Sequence, residues 1–69
     1  MKKTVFWSYN DTEFEGTVTL NEKEGYISIV ANHTGLVIDH LNREQITNGM
    51  SLEEIFNEIP EDITDYELI

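Results

Sequence analysis

The sequence predicts an α+β domain, a three- to four-stranded antiparallel β-meander followed by one or two short C-terminal helices packed on one face of the sheet. Two observations carry that expectation. Apolar and polar residues alternate up to about Ile38 at the two-residue period of half-buried strands, in runs separated by Asn- and Gly-containing turns. The period then lengthens, and Leu52, Ile55, Phe56 and Ile59 fall at i, i+3, i+4 and i+7, the single apolar stripe of a helix. With 69 residues and no cysteine, the chain is expected to form one small domain, a meander over 3–38 and a helical part over 39–69. A chain of this size buries only about 60% of its unfolded surface, so packing alone must hold it, without disulfides.

The first strand, Lys3 to Tyr9, is rich in β-branched and aromatic residues. Val5, Trp7 and Tyr9 share one face and Thr4, Phe6 and Ser8 the other, which leaves open which face is buried. Phe14 to Leu20 alternates more cleanly, with Phe14, Val18 and Leu20 inward and Glu15, Thr17 and Thr19 outward. Gly16 lies on the inward face, where a large ring from the neighbouring strand, Trp7, is expected to cover it. Asn21 to Gly25 is a hairpin loop; Tyr26 to Ala31 forms the third strand, with Ile27, Ile29 and Ala31 on one face. Asn32-His33-Thr34-Gly35 is a turn, and Leu36-Val37-Ile38 a short fourth strand. Asn10-Asp11-Thr12 and Asn32-His33-Thr34 match a glycosylation triplet, but with no signal segment evident they are read as turn residues.

From Asp39 the chain is expected to turn helical. Asp39 would cap a short helix to about Ile46, with Leu41 and Ile46 as its apolar contacts and Asn48-Gly49 as its stop. Ser51 and Glu54 then form a capping box at the head of the apolar stripe, and Pro60 ends that helix. Thr64 and Glu67 repeat the capping pattern and would begin one further turn. The expected core is Val5, Trp7, Phe14, Val18, Leu20, Ile27, Ile29, Leu52, Ile55, Phe56 and Ile59. The run Asn48-Gly49-Met50-Ser51-Leu52-Glu53-Glu54-Ile55, with Pro60, Ile63, Thr64 and Glu67, resembles the helix-turn-helix of small antitoxin-type and regulator families. That resemblance implies a capped helix, a turn and a second cap. It does not extend to DNA binding, because no basic residue stands there to contact phosphate.

Charge narrows the function. Net charge is −10, and it is uneven: residues 1–43 hold six carboxylates against four basic residues, whereas residues 44–69 hold eight carboxylates and no lysine or arginine. Direct nucleic-acid binding is strongly disfavoured, because it needs cations to displace counterions from phosphate, and so is attraction to anionic lipid. No apolar run reaches the roughly 18 residues of a membrane span, and the segment after Met1-Lys2-Lys3 is too short and too alternating for a signal sequence, so a cytoplasmic protein is expected. Catalysis and cofactors are not expected: there is no cysteine nucleophile, glycine-rich phosphate loop or nucleophile elbow. His33, Asp39 and His40 fall short of the converging ligands a metal site needs, and the acidic tail lacks the Asp/Asn spacing of a calcium loop.

A partner-binding surface remains, built from Glu53, Glu54, Glu58, Glu61, Asp62, Asp65 and Glu67. Glu54 and Glu58 stack one turn apart at a cost of roughly 0.2–0.5 kcal/mol, with no lysine at i±4 to relieve it, and Glu58 opposes the helix dipole. Such an array imitates the charge density of a phosphate backbone. In size and charge the chain resembles the small acidic inhibitors, often from phages and mobile elements, that occupy a basic nucleic-acid-binding surface. The expected partner is therefore a basic protein. The alternative is a partner-binding or dimerising module that uses an apolar sheet face, with Phe6, Tyr26 and Val30 on it, the acidity serving only solubility.

Overall fold

The computed structural model describes residues 1–63. Five strands and one helix follow one another: β1 (Lys2–Tyr9), β2 (Thr12–Asn21), β3 (Tyr26–Ala31), β4 (Val37–Asn42), α1 (Leu52–Glu58) and β5 (Asp62–Ile63). The sheet order is β4-β3-β2-β1-β5; every pairing is antiparallel except that of β1 with β5. The α+β class and the antiparallel meander are thus as expected, with a fifth strand added at the edge.

Local chemistry explains the meander. Asn10 and Asp11 both take positive φ, 51° and 61°, which gives a two-residue hairpin turn whose twist matches that of the strands. Asn21 closes the next loop: its side-chain oxygen accepts from the Glu24 amide at 2.9 Å and its carbonyl from the Gly25 amide at 2.8 Å. Gly25 and Gly35 complete the second and third connections at φ 79° and 71°, a region glycine enters without a Cβ penalty.

The register settles which face of β1 is inward. Val5 lies opposite Gly16 and Trp7 opposite Phe14, and both Val5 and Trp7 are buried. The Trp7 ring fills the space over Gly16, where an added Cβ would sit 2.6 Å from the indole, and it stacks on Phe14 with centroids 5.9 Å apart. Val18, Leu20, Ile27, Ile29 and Ala31 continue the buried face, which α1 closes with Leu52 and Phe56. Of the remaining expected core residues, Phe14, Ile55 and Ile59 are partly buried against it, joined by Ile38, Ile46 and Ile63.

Two expectations about the second half are corrected. No helix runs from Asp39 to Ile46. β4 instead extends to Asn42, pairing Leu41 with Ile27 and Asn42 with Tyr26, and only a single 3-10 turn over Arg43–Gln45 follows. Ladder hydrogen bonds and the inward position of Leu41 outweigh the capping signal of Asp39, whose carboxylate accepts only from the adjacent His40 amide, at 2.8 Å. The meander therefore occupies 2–42 rather than 3–38.

The second correction lies past Pro60. Proline terminates α1 and favours an extended Ile59, which has φ −68° and ψ 117°. The chain then joins the sheet: the Phe6 amide donates to the Glu61 carbonyl at 2.7 Å, and Asp62 and Ile63 align with Phe6 and Trp7. The helix-turn-helix resemblance does not hold here, because a strand stands where its turn and second helix would start. The second cap, Thr64 with Glu67, lies outside the described residues.

Candidate protein-binding surface

α1 carries the first group of candidate carboxylates. Ser51 caps it as expected, its hydroxyl accepting from the Glu54 amide at 3.1 Å. The reciprocal half differs: the Ser51 hydroxyl donates to Glu54 Oε1 at 3.2 Å, tying the carboxylate to the cap side chain. With Leu52 and Phe56 turned into the core, Glu53, Glu54 and Glu58 are exposed.

The helix lacks any base in its last turn, yet its C-terminus is neutralised from across the fold. The Lys3 ammonium donates to the carbonyls of Phe56 and Ile59 and sits 4.7 Å from the centroid of the Phe56 ring. A cation there adds to the bond that the Phe56 carbonyl accepts from the Ile59 amide and opposes the negative end of the dipole. The helix end is thus served by a lysine more than 50 residues away, which leaves the Glu54–Glu58 repulsion as it was. Arg43 likewise donates to a carbonyl, that of Glu22, at 2.9 Å. Two of the four lysines and arginines thus bind backbone oxygens, and the carboxylates of α1 face solvent.

Glu61 and Asp62 form a second group at the β1–β5 edge of the sheet, both exposed. The parallel register places Asp62 beside Phe6, and Phe6 lies opposite Glu15 on its other side. Glu15 is held there by Asn32, whose side-chain amide donates to its carboxylate at 2.8 Å, while the Thr17 hydroxyl donates to Asn32 at 2.7 Å. Asp62 and Glu13 also line one hollow beside Phe6 and Ser8. The fold therefore splits the candidate residues into a helix group and an edge group and adds Glu13 and Glu15 to the latter. Asp65 and Glu67 lie outside the described residues.

Glu13 and Glu15 escaped the sequence reading because they precede the acidic third of the chain, and only the β5 pairing brings them to Asp62. Two residues of strand give no periodic signal.

Of the apolar sheet-face residues, Phe6 is 46% exposed and Tyr26 and Val30 are half-buried, with Tyr26 stacked on His40 at 5.2 Å. Larger apolar exposures lie elsewhere, at Met1, 60% exposed, and at Leu36 and Val37, both 57% exposed where the chain enters β4. His33 is exposed in its turn, and among the described residues no three metal-ligating side chains gather. No described helix is long and apolar enough to cross a membrane.

One feature was not foreseen. A cleft of about 280 Å³ lies between α1 and the sheet, bordered by Leu41 of β4 and by Ile63 of β5. Those strands are opposite edges of the sheet, so the sheet coils around the helix and leaves this gap where its edges approach. Asp39, an exposed residue, is the one acid in its otherwise apolar lining. Compared with known protein families, curated proteins and solved structures, the chain matches none.

Proposed function

We propose that this protein is a non-enzymatic acidic module that binds a basic protein surface, and that it acts as an inhibitor by occupying a site that otherwise holds nucleic acid. The observation that supports this is the disposition of charge on α1. Glu53, Glu54 and Glu58 project to solvent, while the cation that serves the helix, Lys3, binds its C-terminal carbonyls and leaves those carboxylates unneutralised. Glu61 and Asp62 add a second acidic group past Pro60 at the sheet edge, where Asp62 shares the outer face of the sheet with Glu13 and Glu15. Such a surface steers a basic partner and repels nucleic acid and anionic lipid.

A charge-reversed variant tests the reading. The parent protein, immobilised as bait, should retain a nucleic-acid-handling protein at low salt and release it as salt rises. Glu54→Lys with Glu58→Lys should lose that partner while keeping its helical circular dichroism, since neither side chain is buried. Retention of the same partner by the folded double variant would refute the proposal. It would favour instead a module docking through Phe6 and its neighbours, whose binding would resist salt.

A further inference from the structure

We infer that the cleft between α1 and the β3–β4 side of the sheet is an anchor pocket for one lysine or arginine side chain of the basic partner. This rests on the proposed function and names where that partner inserts. The floor is Ile27, Ile29 and Leu41, and the roof is Ile55 and Ile59. Asp39 supplies the acid of the lining, in register with Ile29 and therefore on the core-facing side of β4.

The chemistry of the lining selects the occupant. Apolar walls accept the alkyl stem of a long cationic side chain, and a carboxylate accepts its charged head. An uncharged guest of the same length gains nothing from the exposed Asp39 carboxylate, and an anionic guest would be repelled by it. The carboxylate is oriented by the His40 amide, which donates to Oδ1 at 2.8 Å. The His40 ring stacks on Tyr26, which lies on the other face of the sheet. Lys3 and Arg43 are bound to carbonyls of Phe56, Ile59 and Glu22, so neither is the ion partner of Asp39. An inward-pointing charge on an edge strand also discourages strand-to-strand aggregation, a role that needs no guest. The two roles make different predictions.

n-Propylguanidinium, which reproduces an arginine side chain, is titrated into isotopically labelled full-length protein and followed by methyl NMR. Saturable shifts are expected at Ile27, Leu41, Ile55 and Ile59. Asp39→Asn should weaken binding about tenfold, the scale of one charge-assisted hydrogen bond. n-Pentanol, of similar length and uncharged, should give no saturable shift at those methyls. Shifts spread evenly over the surface carboxylates, equal affinity in Asp39→Asn, or no shift at all would each overturn the inference. Its failure is separable from that of the proposed function. If salt-sensitive capture is lost in Glu54→Lys/Glu58→Lys while the probe ignores the cleft, only the anchor pocket is wrong; if that variant keeps its partner, the acidic-surface reading is wrong.

Discussion

Lys3 shows how one residue can decide the electrostatics of an element far from it in sequence. Its ammonium serves two terminal carbonyls of α1 and the Phe56 ring together. Lys3→Met, which keeps an apolar stem of similar length, should lower unfolding free energy by about 1.5–3 kcal/mol, the range for hydrogen bonds to charged groups. Lys2→Met, at an exposed neighbouring position, should change it by less than about 0.5 kcal/mol. Urea denaturation of the pair checks the contrast. Gly16 makes the opposite kind of case, a residue whose lack of a side chain is the requirement. A Cβ there would meet the Trp7 ring at 2.6 and 2.7 Å and the Val30 carbonyl at 3.0 Å. Gly16→Ala should therefore cost about 1–3 kcal/mol through overpacking, read by the same denaturation and by altered Trp7 fluorescence. The sequence anticipated the pairing of Gly16 with Trp7, because a strand glycine flanked by an aromatic strand has few other ways to fill its space. Nothing in it marked Lys3, whose role depends on where β1 meets the end of α1, a tertiary fact with no local pattern.

At the level of elements, those with a strong local code were legible. β2 alternates over its whole buried length, and α1 has a cap, a four-residue stripe and a terminal proline. Ser51→Ala should cost about 1 kcal/mol, since an orphan amide loses its acceptor; denaturation midpoints, with unchanged slope, would measure it. Where two codes competed, the local reading failed. Asp39 offers a helix cap, but Ile38 and Leu41 also suit a pleated edge, and pairing with β3 decided in favour of strand. A bulge opposite Ile29 and Val30 adds to the ambiguity, because it breaks the alternation by which β4 would have been read. β5 was illegible for a simpler reason. Two residues carry no period, and their strand character comes from the β1 edge that they meet.

Across the whole molecule, a net charge of −10 on 69 residues opposes compaction as well as attracting cations. Two of the four lysines and arginines bind backbone carbonyls, so salt should screen mostly repulsion. Raising ionic strength from about 0.01 M to 0.15 M shortens the Debye length from about 30 to 8 Å. The melting temperature should rise over that interval, and differential scanning calorimetry would register it. The same screening should weaken a basic partner, so stability and binding should move in opposite directions with salt. The acidity of the C-terminal third was plain from composition, but its layout was not: the fold divides it between the helix and the sheet edge and recruits Glu13 and Glu15 to the edge group. The claim that this surface occupies a nucleic-acid site is tested most directly by competition. With a captured partner in hand, its complex with this protein is titrated with duplex DNA or RNA at fixed ionic strength. Nucleic acid and this protein should displace one another with a single mutual inhibition constant; a stable ternary complex would show that they occupy different sites.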